Sequence, residues 1–173
     1  MVKLIVNTIA AVNKLNKKQS DLAVQRAINK LLPKLVTTAW RSIKDRYNVK
    51  RKDLDFSTIK AGKNLVGFIK AKRRGISRVL TPWKDKGGGI ESLFKKGAPE
   101  FMKGAFFATM PKTGAVGLFW RIGKERLPIK QWYGKSGGRI LQDVETKTAM
   151  QKGIDDYYPA LLNHEKKRLA DKK

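Results

Sequence analysis

Residues 20–48 read SDLAVQRAINKLLPKLVTTAWRSIKDRYN. Apolar side chains recur at Val24, Ile28, Leu31, Leu35, Ala39, Ile43 and Tyr47. Spacings of three and four residues put all seven on one face of a helix. Arg26, Lys30, Lys34, Arg41 and Lys44 fall largely outside that face. Ser20 stands where an N-cap belongs, and Asp21 suits the positive end of the helix dipole. Pro33 interrupts the stripe and is expected to kink the helix or split it. The reading is a long helix over 20–48 whose apolar face needs a partner layer.

Candidates for that layer follow along the chain. Phe56 to Ile59, Leu65 to Lys72 and Ser77 to Leu80 read as strands. Phe101 to Met110 and Ala115 to Ile122 read as a strand pair turned by Pro111-Lys112-Thr113-Gly114. Val2 to Val6 reads as a short strand, and Ala10 to Asn16 as a short helix or turn. Residues 81–97 carry Pro82, the Gly87-Gly88-Gly89 run and Gly97 among lysines, which predicts a long mobile loop. Arg126 to Tyr133 reads as a compact loop. A helix is expected from Arg139 to Lys152, broken at Gly153, with a last helix starting near Pro159. Together these predict an α+β fold, with the long N-terminal helix and the C-terminal helices packed on an antiparallel β-sheet. Residues 1–153 form its body, and 154–173 a C-terminal helical extension.

Composition narrows the function. The chain has 173 residues, 39 Lys and Arg, 14 Asp and Glu, and a formal net charge of +25. Four Trp, seven Phe and four Tyr argue for a folded chain rather than a disordered basic tail. The excess is spread out: residues 1–75 hold 19 basic and 4 acidic groups, and the remainder 20 and 10. Such a charge points to a polyanionic partner: nucleic acid, an acidic membrane surface or an acidic protein. No stretch approaches the ~20 apolar residues that span a bilayer. The interrupted apolar run before Leu15 does not read as a signal peptide.

The chemistry-bearing residues are few. There is no Cys, and His164 is the single His, so thiolate metal sites and His-based relays within one chain are excluded. Gly134-Lys135-Ser136 imitates the end of a phosphate-binding loop. The full pattern needs a Gly where Ile129 stands. The pairs Asp53/Asp55 and Asp155/Asp156 are too few for a metal-dependent nuclease. Asp53 and Asp55 sit among Lys50, Arg51, Lys52 and Lys60, where local ion pairing is the simpler reading. No enzyme, cofactor or metal site is expected. The candidate contacts to DNA or to an acidic partner are Lys50, Arg51, Lys52, Lys70, Lys72, Arg73 and Arg74. With no base-reading motif, they are expected to touch backbone phosphates alone.

Two stretches carry a resemblance. One is Gln25 to Leu54, with Arg26-Ala27-Ile28-Asn29-Lys30 and Asp45 to Leu54. The other is Gly104 to Met110, Gly114 to Arg121, and Arg126-Leu127-Pro128-Ile129-Lys130-Gln131-Trp132-Tyr133-Gly134. In order and spacing they resemble the minor tail protein Z family of tailed bacteriophages and prophages, over most of residues 20–141. Lys135 stands where the family commonly has Pro, and Gly114-Ala115 replaces a Gly-His pattern. The resemblance implies a non-catalytic tail-completion or neck protein at the head-proximal end of the tail. It also implies an α+β fold like those of tail-completion and tail-terminator proteins. The expected partners are tail-terminator, head–tail connector and tail-tube proteins, other copies in a hexameric ring, and double-stranded genomic DNA. Localisation to the virion after assembly in the host cytoplasm follows from it, with no membrane partner. A free, non-sequence-specific nucleic-acid-binding protein of the cytoplasm is the alternative.

The segment that carries the resemblance also has a physical reading. Pro128 stiffens its loop. Trp120, Trp132 and Tyr133 offer amphipathic surface, and Arg121 and Arg126 suit bidentate carboxylate contacts. These six residues are the expected subunit or partner interface. Leu127 and Ile129 are expected to fold back on their own domain.

Overall fold

The computed structural model describes the backbone of residues 2–4, and residues 16–111 and 113–171 in full. The expected turn or helix over Ala10 to Asn16 lies almost wholly outside the described residues. Helix α1 spans Lys17–Arg46. Its N-cap is Asn16 rather than Ser20. The Asn16 side chain accepts from the Gln19 amide at 2.9 Å, and the Gln19 side chain accepts from the Asn16 amide at 3.4 Å. This reciprocal box satisfies two amides that the first turn leaves free, which a start at Ser20 would not. Pro33 does not split the helix.

A one-turn helix α2 (Arg51–Leu54) follows, then strands β2 (Ser57–Ile59), β3 (Gly67–Lys70) and β4 (Gly75–Ser77). Arg78–Leu80 is a 3-10 turn, where a strand was expected. Strands β5 (Trp83–Asp85), β6 (Gly89–Lys95), β7 (Ala98–Lys103), β8 (Phe106–Thr109), β9 (Val116–Arg121), β10 (Ile129–Gln131) and β11 (Tyr133–Ser136) come next. Helices α3 (Gly137–Leu141) and α4 (Val144–Ala170) complete the chain. With β1 at Val2–Leu4, all strands pair antiparallel. Among the described residues they form four small sheets, ordered β1-β3-β2, β5-β6-β7, β10-β9-β8 and β11-β4. The chain is therefore α+β, as its sequence predicts, with the sheet divided rather than continuous.

Three further expectations change. The mobile loop over 81–97 is the β5–β6 hairpin, turned at Gly87 and Gly88 with φ of 67° and 85°. Both turn positions take positive φ, which suits a two-residue hairpin. The far end of β6 is tied to α1: Asn48 N–H donates to Phe94 C=O at 2.9 Å, and Lys96 N–H to Arg46 C=O at 2.8 Å. The loop over Arg126 to Tyr133 becomes β10 and the start of β11. Lastly, α4 runs unbroken through Gly153 and Pro159. Gly153 is buried where α4 crosses α1. A Cβ there would lie 3.1 Å from a Leu35 methyl, so its role is close approach rather than helix breaking.

The larger core joins α1, α4, α3 and β3 through Leu31, Leu35, Ile43, Ile69, Ile140 and Leu162. Fully burying each such side chain stabilises by about 1.5–3 kcal/mol. A smaller core gathers Ile90, Ala105, Leu118 and Trp132 between the sheets of the β half. Arg78 is buried between the two. Its guanidinium lies 4.6 Å from the Phe94 ring, in the first core, and 4.9 Å from Trp132, in the second. It donates to Glu100 at 2.5 Å and to Ser92 at 3.2 Å.

Carboxylates tie distant elements together elsewhere. Glu165 of α4 is fully buried, 2.5 Å from Lys30 of α1. The Lys30 ammonium holds that carboxyl below its ordinary range, against the opposing effect of burial. Asp143, at the start of α4, accepts from the Tyr47 hydroxyl at 2.6 Å and Lys135 at 3.0 Å, with Arg46 at 3.8 Å. Burial pushes its pKa up, but the hydroxyl and the two cations outweigh it and leave the carboxyl below the usual range.

A depressed carboxyl stabilises the fold above its unfolded pKa, about 3.9 for Asp. That contribution is lost as pH falls through the folded value. Asp143→Asn is expected to lower unfolding free energy by about 1–3 kcal/mol near pH 7. The gap to the wild type should close as pH falls below about 4. Urea unfolding at a series of pH values checks this. A gap independent of pH would mean that the ion pairs at Asp143 contribute nothing.

Candidate polyanion interface

Lys50, Arg51 and Lys52 are exposed on and before α2, where their side chains leave the buried Leu54. Lys70 ends β3, and Lys72, Arg73 and Arg74 form the connection to β4; all four are exposed. The backbone joins the two groups: Lys72 N–H donates to Leu54 C=O at 2.8 Å. Gly138 N–H donates to Lys72 C=O at 3.1 Å, fixing the connection from its other side. Two runs some twenty residues apart in sequence thus share one corner. Among the described residues, none of the seven cations forms an ion pair with a carboxylate.

Asp53 and Asp55 form no ion pair with these cations, contrary to the expected local ion pairing, although their charges remain at the corner. The Asp53 carboxylate accepts from the Lys50 backbone amide at 3.3 Å, closing the turn of α2. Asp55 ends that turn with φ of 49°. With the carboxylate engaged by its own backbone, the cations beside it have no direct ion-pair partner, while its negative charge stays among them.

One arginine of the corner is aimed. Arg74 donates to the Tyr133 hydroxyl at 2.8 Å and lies 5.4 Å from the ring centroid. The Tyr133 hydroxyl donates to the Gln131 side chain, which donates to the Ser77 hydroxyl at 3.0 Å. Lys72, Arg74, Ser77, Leu80, Gln131 and Tyr133 line a cleft of about 230 Å³, with Asp53 as the carboxylate in its wall. A guanidinium held in this way loses less freedom on binding an oxyanion than a free one. The parts from Gln131 and Ser77 carry no sequence signal, because the pairing of β4 with β11 creates them.

The six expected interface residues separate. Tyr133 belongs to the basic corner. Trp132 is a correction: it is 7% exposed, packed in the smaller core, and offers no surface to a partner. Alternation explains it, since the chain enters β11 with Trp132 turned inward beside Leu118, whose carbonyl accepts its amide at 2.7 Å. Trp120 is half-buried against the same core. Arg121, Arg126 and Pro128 are exposed around the β9–β10 connection, with Arg121 4.8 Å above the Phe106 ring. Leu127, expected to fold back, is 66% exposed there, while Ile129 is half-buried.

Gly134-Lys135-Ser136 is strand, with Gly134 against the Phe94 ring, and forms no loop around a phosphate. His164 is exposed, 3.6 Å from Glu165. Among the described residues, no group of three His, Asp or Glu side chains is arranged to hold a metal ion. No described helix is long and apolar enough to cross a membrane. The chain matches no protein-family model, no curated protein and no solved structure.

Seven cations at one corner outnumber the two carboxylates among them, Asp53 and Asp55, and the remaining repulsion opposes folding. Replacing Lys52, Lys72 and Arg73 with Gln is expected to leave the melting temperature unchanged or raise it at about 0.01 M salt, where the Debye length is about 30 Å. The difference should vanish near 1 M. Scanning calorimetry at the two salt concentrations checks this. A lower melting temperature in both would mean that these side chains support the fold instead of facing a partner.

Proposed function

We propose that the chain is a structural virion protein of a tailed bacteriophage, a tail-completion or neck subunit at the head-proximal end of the tail. In this reading it joins tail to head as one subunit of a ring of six. Tail-terminator, head–tail connector and tail-tube proteins are its neighbours, and double-stranded genomic DNA runs along its inner side. It carries out no catalysis. The observation that carries the reading is the basic corner: seven exposed cations, in no ion pair with a described carboxylate and held on an α+β body. A duplex carries one negative charge per about 1.7 Å of axis, and counterion release rewards such a corner without any base contact. The resemblance of residues 20–141 to the minor tail protein Z family supplies the tail as the setting. The same corner also favours the second reading, a free cytoplasmic protein that binds nucleic acid without sequence preference.

Mass spectrometry of washed particles from cells expressing the gene distinguishes the two. The expected result is the chain at a fixed copy number near six per particle. Disruption of the gene should yield filled heads and tails that fail to join. Particles without the chain, with the chain instead on nucleic acid in the lysate, would overturn the first reading in favour of the second.

A further inference from the structure

Among the described residues, Arg74 is the one of the corner's seven cations whose side chain is hydrogen-bonded. Its guanidinium donates to the Tyr133 hydroxyl at 2.8 Å. An arginine only donates, so the phenol oxygen must accept here and its own proton must go elsewhere. Gln131 Oε1 takes that proton. The amide is thereby fixed in one orientation, with Nε2 turned to the Ser77 hydroxyl at 3.0 Å. The bonds run one way, from Arg74 through Tyr133 and Gln131 to Ser77.

This chain of bonds spans two sheets. Gln131 lies in β10, opposite Phe119 of β9, whereas Tyr133 and Ser77 face each other across β11 and β4. Gly117, two residues before Phe119, gives the Gln131 amide its room. A Cβ at Gly117 would lie 2.5 Å from Gln131 Nε2 and 3.0 Å from its Cδ. Its φ lies outside the left-handed region, so space rather than backbone conformation requires the glycine. Any side chain there would push the amide off its partners. Gly117 itself is not in the wall of the cleft that Arg74 and Lys72 line. The other N–H donors of Arg74 are in no described ion pair. Asp53 in the same wall offsets part of the positive charge, so the alignment of the donors there counts for more than the number of cations.

Given the nucleic-acid contact of the proposed function, on which this inference rests, we propose that Gln131, seated on Gly117, is a positioning residue. It turns the phenol oxygen of Tyr133 toward Arg74 and so presets Arg74 as the corner's anchoring contact to a phosphodiester oxygen. The other six cations must be ordered as they bind, at a cost in side-chain freedom that is smaller for Arg74.

Binding of a short labelled duplex by the full chain, measured across a salt series, tests this. Tyr133→Phe and Gly117→Ala keep every charge. Each should weaken binding by about three- to tenfold, the cost of ordering one more side chain. Both should keep the wild-type slope of log affinity against log salt, whereas Arg74→Gln should lower it by about 0.9. In the Arg74→Gln background, Tyr133→Phe should weaken binding no further. Nitrogen-15 spectra of the protein alone give a second readout. Rotation of the Arg74 guanidinium about Nε–Cζ should be slower than that of the neighbouring Arg73 in the wild type, and as fast in Tyr133→Phe. An undiminished effect of Tyr133→Phe without Arg74 would mean a structural role for the phenol and overturn the proposal. Equal rotation of Arg73 and Arg74 in the wild type would overturn it too, whether or not the variants fold. A wild-type chain that binds no duplex would instead overturn the nucleic-acid reading and the anchor with it, leaving the spectra to decide the positioning alone.

Discussion

The structure depends on where its scarce carboxylates sit. Fourteen acidic groups face thirty-nine basic ones. Those in ion pairs largely join parts distant in sequence. Glu165 binds α4 to α1 through Lys30; Asp143 and Glu145 bind the start of α4 to the end of α1 through Arg46. Glu100 holds the buried Arg78 between the two cores. Breaking a fully buried pair by removing one partner costs about 3–5 kcal/mol, and solvent screening at the exposed Lys30, Glu100 and Glu145 makes the cost smaller here. Two charges 4 Å apart in bulk water interact by only about 1 kcal/mol. The same anion therefore contributes more inside a joint than spread over the surface. The consequence is a body locked by its acids, with exposed cations that nothing internal neutralises.

Much of the fold was legible. The stripe from Val24 to Tyr47 predicts α1 because a helix period survives a single proline. The hairpin expected over Phe101 to Ile122 announces itself around a Pro-Gly turn, but Gly104, with φ of 70°, divides its first strand into the end of β7 and β8. What the sequence hid has physical reasons. A glycine run between lysines looks like a loop, yet Gly87 and Gly88 are what a tight hairpin turn needs. Gly153 and Pro159 look like breaks, but packing on α1 overrides local propensity across both. Arg78 and Glu165 look like solvated charges until the two cores close around the first and α1 packs on α4 over the second, an effect of tertiary contact alone.

The candidate interface was half legible. Runs of Lys and Arg mark Lys50 to Lys52 and Lys70 to Arg74 without showing that they meet. Their meeting depends on the bond from Lys72 to Leu54 and on Gly138 behind it. Aromatic content marks Trp132 and Tyr133 equally, but strand alternation turns the first inward and leaves the second to hold Arg74. Composition cannot separate neighbours that a single peptide unit sends to opposite faces.

The central claim is that this one corner, and not the basic surface at large, meets the polyanion. The salt dependence of duplex DNA binding tests it most directly. Wild type is compared with a variant in which Arg51, Lys72, Arg73 and Arg74 become Gln, and with a control in which Lys17, Lys18, Lys44 and Lys147 become Gln. The account predicts that the slope of log affinity against log salt loses about 3 to 4 units in the first variant, at roughly 0.9 per phosphate contact, and stays near wild type in the control. An equal loss in both variants would contradict it.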